Sequence, residues 1–566
     1  MEAWNTALPD WPKRIVARQS MIPALPLNKT RADRALRIFK RLRLVDVPGT
    51  PTMGEACEPW VFEFVRAIFG AYDPETKRQL IKEFFLLIAK KNGKSSIAAG
   101  VMMTALIMNE RRLGEYLILA PTKDIADNSF IPAAGMVDAD RALRARYKPS
   151  NTTRVIENRL DGSVLEVKAA DADVVGGQKA VAVFIDELWL FGKKLTAENM
   201  LSEATGSLAS RPEGFVIFAS THSDEQPAGV FKKKLDYHRG VRDGTIIDPA
   251  SLPLIYEYPF AMREAEAYRD PNTFYIPNPS LGRSVDFQWL VSQARQKEIE
   301  GPDSYRLFLA KHLNVEIGLR LAGDSWAGGQ FWDDCAGPKG LTLEYLIERC
   351  EVIVFGIDGG GLDDLLGLAA LGREKDTRRW LLWTHAWAHK IVLQRRKEIA
   401  PRLLDFEKDG DLTIVERPGD DVAAVADLVC QVRDAGLLPE KNAIGVDAVG
   451  IGDIVDELTA PERAITSEQI VGISQGWKLN AAIKTAGRKL AGGEMAHGGQ
   501  PLMAWCVGNA KVELRGSAES ITKQTAGSAK IDPLMGLFDA VSLMAMNPVA
   551  TGGLMSDFLR NPVLAA

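Results

Sequence analysis

Residues 84–96, Phe-Phe-Leu-Leu-Ile-Ala-Lys-Lys-Asn-Gly-Lys-Ser-Ser, constrain this chain more than any other stretch. Six apolar residues predict a buried strand, the basic turn that follows must be tight, and small and apolar residues from Ser96 to Met108 predict a helix. A strand, a turn ending in Gly-Lys-Ser and a helix form the end of a phosphate-binding loop. Backbone N–H groups of such a loop point at a polyphosphate, the lysine reaches the outer phosphates and the serine holds Mg²⁺. Lys91, Asn92, Gly93, Lys94, Ser95 and Ser96 are the candidate cradle. Ile88 stands where the usual pattern has its first glycine, and Gly-Lys-Ser alone also reads as an ordinary helix start.

Later residues supply the chemistry a nucleotide needs. Val181 to Leu188, Val-Ala-Val-Phe-Ile-Asp-Glu-Leu, predicts a central parallel strand with two carboxylates at its C-terminal end. Asp186 is placed to hold Mg²⁺, and Glu187 to orient and deprotonate the attacking water. A helix-capping acid pair is the alternative. Phe215 to Ala219 predicts another buried strand, ending in Ser220-Thr221, which suits a sensor of the γ-phosphate or a plain strand cap. Upstream, Glu58-Pro59-Trp60 opens a helix, with Trp60 either covering the adenine or packing. Lys29 to Arg43, with seven basic residues and one acid, predicts a short basic helix.

The second half carries a different pattern. Val352 to Gly361 delivers Asp358 into a glycine-rich turn, and two apolar stretches, Leu365 to Leu371 and Trp380 to Ala386, continue it as an antiparallel meander. Ala443 to Asp447 is a later strand ending in an aspartate, and Asp532-Pro533 opens a final helix with Asp539 two turns on. Aspartates from a first strand, a later strand and a last helix match the ribonuclease H-like nuclease arrangement. Clustered carboxylates hold two divalent ions that clamp the attacking water and the leaving oxygen of a phosphodiester. Hard oxygen ligands select Mg²⁺ or Mn²⁺. Asp358, Asp447 and Asp532 are the metal-ligand candidates, with Asp539 the substitute for Asp532.

The chain has 566 residues, enough for two sizeable cores, with a net charge of −5, so nucleic acid would be met by local basic patches. Five scattered cysteines argue against a disulfide framework, and no apolar run approaches a membrane span. The expected fold is α/β: a P-loop ATPase domain with a parallel doubly wound sheet and a lid subdomain, then a ribonuclease H-like nuclease domain. The expected divisions are an arm at 1–50, the ATPase core at 51–225, a lid at 226–325, a linker at 326–345, the nuclease at 346–549 and a tail at 550–566.

In order along the chain, Glu58-Pro59-Trp60, Ala89 to Ser95, Phe184 to Leu188, Asn278-Pro279-Ser280, Trp332 to Cys335, His497 to Pro501, Trp505 to Asn509 and Lys530-Ile531-Asp532 resemble the large terminase subunit of tailed bacteriophages and prophages. The resemblance implies an ATP- and Mg²⁺-dependent motor that drives double-stranded DNA into a procapsid, and an endonuclease that cuts concatemeric DNA. It implies a portal protein and a small terminase subunit as partners, and a homo-oligomeric ring on the portal formed from a monomer in solution. It places the protein in the host cytoplasm, transiently on the procapsid. It also implies a basic residue acting in cis on the γ-phosphate, here Lys90, with Lys91 the other candidate. A helicase-like ATPase–nuclease of repair or restriction, and a nucleotide-binding structural portal component, are the rival readings.

Overall fold

The computed structural model describes residues 4–170, 179–194, 196–317, 326–337, 341–447, 452–515, 518–523 and 529–550. The chain divides into two units, Met1–Ile317 and Gly318–Ala566. No helix among the described residues is long and apolar enough to cross a membrane.

The first unit is built on eight strands: β1 (Glu83–Leu87), β2 (Glu115–Ala120), β3 (Tyr147–Ser150), β4 (Val155–Asn158), β5 (Val164–Ala169), β6 (Ala180–Ile185), β7 (Phe215–Ser220) and β8 (Ser251–Ile255). Their order is β8-β1-β7-β6-β2-β5-β4-β3. From β8 to β5 every neighbouring pair is parallel, and β4 and β3 close the far edge antiparallel. Strands buried on both faces carry unbroken apolar runs, which explains Phe84–Leu87, Val181–Ile185 and Phe215–Ala219. β4 and β5 form a hairpin that turns at Asp161-Gly162, with Gly162 at φ +70°. The basic stretch forms α1 (Lys29–Arg41), capped by Asn28 and burying Ala32, Ala35 and Phe39. It packs against α2 (Pro59–Gly70), which has Pro59 in its first turn.

The segment expected as a lid is partly sheet. Its β8 pairs in register with the loop strand β1, Leu254 opposite Leu86, because Leu252, Leu254 and Ile255 are as buried as the strand they cover. Two further helices of this segment are α5 (Gly229–Asp243) and α6 (Pro302–His312). A largely buried ionic network ties α5 to the segments that follow β8 and α6. Glu257 accepts from Arg242 at 2.7 Å and from Arg239, and Arg239 also reaches Glu316 at 2.6 Å. Burial opposes the Glu257 charge, yet Arg239, His222 and Arg242 outweigh it and hold its pKa well below the usual carboxylate range. Breaking one partner of such a network leaves a buried charge uncompensated. Glu257→Gln is therefore expected to cost about 3–5 kcal/mol at pH 7 in denaturant unfolding. A depressed folded pKa contributes stability above the unfolded value, near 4.3, that is lost as the pH falls through the folded value. The gap between wild type and variant should accordingly narrow on acidification below about pH 4.

The second unit carries β9 (Cys350–Gly359), β10 (Leu365–Glu374), β11 (Trp380–His389), β12 (Leu412–Val415), β13 (Ile444–Asp447), β14 (Ile470–Ile473) and β15 (Met495–His497) in one sheet. The order is β12-β11-β10-β9-β13-β14, with β15 parallel to the start of β11. β9, β10 and β11 form the expected antiparallel meander, and β13 and β14 extend the sheet parallel to β9. This is the ribonuclease H-like arrangement. A separate hairpin, β16 (Ala510–Arg515) and β17 (Ala518–Lys523), precedes the last helix, α7 (Asp532–Met544). The first unit also holds α3 (Lys94–Ile107) and α4 (Leu188–Phe191).

Alternation along β9 sorts two cores. Ile353, Phe355 and Ile357 face one of them, while Val352 and Val354 face the other, which α7 covers with Leu534, Leu537, Phe538 and Val541. The helix lies so close to the sheet that glycines are required beneath it. A Cβ at Gly356 would collide with the Gly536 carbonyl oxygen and stand 2.6 Å from the Ala540 nitrogen. One at Gly367 would stand 2.6 Å from the Asp532 carbonyl carbon. Because these obstacles are backbone, Gly356→Ala should cost about 3 kcal/mol. The loss is measurable as a lower melting transition of the second unit, and α7 should lift from the sheet.

Residues 326–337 do not behave as the expected linker. Trp326 and Trp332 are each 1% exposed within the core of the second unit. Trp326 donates to the Ile483 carbonyl at 3.3 Å and meets Phe538 edge-on at 5.1 Å. Two indoles bury more apolar area than a solvated connector offers, so the segment joins the nearest core. Residues 338–340 of the same segment, and the expected tail beyond Ala550, lie outside the described residues.

Candidate active sites

The loop after β1 enters the helix Lys94–Ile107 through Gly93, held at φ +83°. An L side chain rarely adopts that conformation, and it turns the following N–H groups toward the end of the sheet. β7 lies between β1 and β6, so Ser220-Thr221 sits between the phosphate loop and the acid pair. All of these groups stand at the C-terminal ends of parallel strands, the ligand edge of such a sheet.

The side chains interlock across that edge. Ser95 Oγ donates to Asp186 Oδ2 at 3.3 Å, and the Glu187 N–H donates to Asp186 Oδ1 at 3.0 Å. Lys94 Nζ lies 3.3 Å from Glu187 Oε1, and the Trp189 indole N–H donates to Glu187 Oε2 at 2.5 Å. Burial raises the Asp186 pKa to about 6, with Glu187 adding and Lys94 opposing. Burial also works against the Glu187 charge, but Lys94, the Trp189 indole and Lys90 outweigh it and keep its pKa below the ordinary value. The pair is split, with Asp186 the weaker acid. Glu187 itself has φ +50°, an uncommon conformation for a side-chain-bearing residue at a strand end.

Of the two basic candidates, Lys90 bears electrostatically on both Glu187 and His312, whereas Lys91, exposed at φ +71°, bears on His312. The Thr221 hydroxyl is buried with no hydrogen-bond partner. Ser96 follows Ser95 in the first turn of the helix.

Two expected ligands have other duties. Asn92 is 1% exposed, and its amide donates to Ala89 O at 3.1 Å and Asn278 Oδ1 at 2.8 Å, while its own oxygen accepts from Ser280 N at 3.0 Å. Its side-chain polar atoms are spent on bracing the loop against the Asn278-Pro279-Ser280 turn, so its side chain is a strut. Trp60 is 8% exposed, donates to Ser280 Oγ at 3.1 Å and meets Tyr256 edge-on. It packs, yet it also borders a cleft of about 350 Å³ with Arg18, Tyr275 and Asn278.

In the second unit Ile357 pairs with Val446, so Asp358 and Asp447 come next on adjacent parallel strands. Asp358 has the parity of Val354 and faces α7. Gly445, two residues before Asp447, lies under Asp539, and Gly359 lies under Asp532. Four aspartates therefore collect at one end of one sheet face. Asp358 is pushed up to about 8, by burial first, then Asp532 and Asp447. Asp539 is pushed up to about 9, by burial first and then Asp358, and Gln475 donates to both its oxygens at 3.2 and 3.3 Å. Asp532 rises to about 6 through burial and Asp364, with Lys523 3.7 Å from its Oδ1 and its Oδ2 buried without a hydrogen-bond partner. Among the described residues no three His, Cys, Asp or Glu side chains stand at ligating separation. It is the backbone that gathers the four. His497, by contrast, is structural: it stacks on Trp332 at 3.9 Å, and its Nε2 bonds the Trp332 carbonyl at 2.7 Å.

Residues 59–240 match the family described as "Terminase large subunit, ATPase domain". "Protein YmfN" of Escherichia coli K12 is 25% identical over 294 residues, covering 50% of this chain and 61% of that one. The "Terminase, large subunit" of Enterobacteria phage HK97 is 21% identical over 543 residues, covering 94% of this chain and 99% of that one. The crystal structure of the HK97 large terminase covers 90% of this chain and 99% of its own, with 18% identity and a TM-score of 0.45. The loop, the acid pair and the strand ending in Ser220-Thr221 all lie inside the residues that match the terminase ATPase domain, and the chain is similar over most of its length to a phage large terminase subunit.

Proposed function

We propose that this protein is a viral DNA-packaging motor, in which ATP hydrolysis in the first unit drives double-stranded DNA into a procapsid and the second unit cuts concatemeric DNA. The observation that carries the reading is the interlock of Lys94, Ser95, Asp186 and Glu187 at one sheet edge, within the residues that match the terminase ATPase domain. Backbone N–H groups from Lys91 to Ser96 bind the polyphosphate, and Lys94 exchanges its Glu187 partner for the outer phosphates. Glu187 accepts the proton of the attacking water. Lys90 adds positive charge where the γ-phosphoryl group leaves. A hydroxyl beside a carboxylate is a hard donor set, so Ser95 and Asp186 would hold Mg²⁺, which neutralises phosphate charge when bound.

The buried Asp532 oxygen without a partner, among carboxylates that raise one another's pKa, fits a cation site. Asp358, Asp447 and Asp532, with Asp539, would hold two Mg²⁺ or Mn²⁺ ions, which activate water and steady the leaving oxygen when bound. The chain's own part is to fix those carboxylates with α7 packed on glycines. A portal protein and a small terminase subunit are the proposed partners, with a ring of copies at the portal in the bacterial cytosol.

The test uses purified full-length protein with ATP, and with linear and supercoiled plasmid in Mg²⁺ or Mn²⁺. Hydrolysis lost only in Glu187→Gln, and cutting lost only in Asp358→Asn, support two separable sites. Either variant losing both activities while still folded would overturn the separation.

A further inference from the structure

Two residues outside the expected motifs converge on Glu187. The Trp189 indole donates to Glu187 Oε2 at 2.5 Å, and the Trp189 backbone N–H donates to Ser220 Oγ at 3.0 Å. The Lys311 ammonium lies 3.0 Å from the centroid of the Trp189 ring and donates to the His222 carbonyl at 3.1 Å. The Lys311 carbonyl in turn accepts from the Lys90 N–H at 2.8 Å, at the start of the phosphate loop. Lys311 is 5% exposed, and among the described residues no carboxylate pairs with it. Burial pulls its pKa down to about 7, with Asp224 opposing. An ammonium in such a place costs stability, so packing alone does not explain it.

We propose that Trp189 and Lys311 are positioning residues that aim the Glu187 carboxylate, so that the end of β7 sets whether the water-activating group is in place. The proposal rests on the ATPase reading above. A cation on the indole face draws electron density from the ring and strengthens its N–H as a donor to the carboxylate. The end of β7 and the two residues after it, Ser220 to His222, hold Trp189 through Ser220 and Lys311 through His222. A shift of that strand end on loss of the γ-phosphate would therefore move both supports of Glu187 together. Lys311 comes from α6, so this helix reaches the Glu187 carboxylate only through the Trp189 ring.

Trp189→Phe keeps the ring under Lys311 and removes only the donor to Glu187. Lys311→Met keeps the length of the side chain and removes the charge. Steady-state ATP hydrolysis by full-length protein should show kcat reduced roughly tenfold or more in each variant, because a misaimed base loses its geometry. The KM for ATP, and the affinity for a fluorescent ATP analogue, should stay within about twofold. The double variant should lose no more than the worse single variant, since both changes act through one carboxylate. Losses that multiply in the double variant, unchanged kcat in either single variant, or a rise in KM alone would overturn the proposal. If wild-type protein binds ATP but never hydrolyses it, the ATPase reading itself fails. Unaffected variants of an active wild type defeat this inference alone.

Discussion

Glu187→Gln should abolish most ATP turnover, with kcat reduced about 10²- to 10⁴-fold, the span that a positioned general base supplies. The amide keeps the volume and can still accept from the Trp189 indole, so the pocket should hold its shape. What disappears is the proton acceptor and the negative partner of Lys94, 3.3 Å away. Lys94 then has no carboxylate to leave before it meets a phosphate. ATP affinity should accordingly be retained or tightened. Turnover assays beside binding of a fluorescent ATP analogue separate the two effects. In the nucleotide-free variant Lys94 remains a buried ammonium, so ATP should raise the melting temperature more in Glu187→Gln than in wild type. Weak binding together with lost turnover would show instead that the residue maintains the pocket.

Asp358→Asn should eliminate metal-dependent DNA cutting. Outer partners of metal ligands commonly cost 10–100-fold when removed, and a central ligand should cost more. Asp358 stands among like charges: Asp532 and Asp447 raise it, and it raises Asp539. Removing one of four crowded carboxylates relieves repulsion. The variant without divalent ions should melt no lower than wild type, while Mg²⁺ or Mn²⁺ should stabilise wild type more than the variant. A melting temperature that falls in the variant regardless of metal would assign Asp358 a packing role. Gln475, which donates to both Asp539 oxygens, belongs to the same site, and nothing in its own stretch of sequence marks it.

Much of the scaffold was legible before any coordinates. Buried parallel strands must be apolar on both faces, so Phe84–Leu87, Val181–Ile185 and Phe215–Ala219 announced themselves as runs. Acids placed where such runs stop, Asp186-Glu187, Asp358 and Asp447, marked the C-terminal ends of strands in two sheets, and Gly93-Lys94-Ser95 marked the tight turn into a helix. These signals are local: each depends on a few consecutive side chains and the period of a strand or helix.

The tertiary structure decided what depends on distance along the chain. Asn92 reads as a loop ligand until Asn278 and Ser280, nearly two hundred residues on, consume its amide. Trp326 and Trp332 read as linker residues until a core is there to take them. Ser251–Ile255 reads as part of a lid until β1 offers an unpaired edge. Lys311 sits in an unremarkable helix, and only the fold lays its ammonium on Trp189. Strand and helix propensities act over a few residues, whereas hydrogen-bond satisfaction and burial are settled only when remote segments meet. The sequence by itself thus determined which residues carry charge to the sheet ends, and the tertiary structure decided which of them face one another and what holds them in aim.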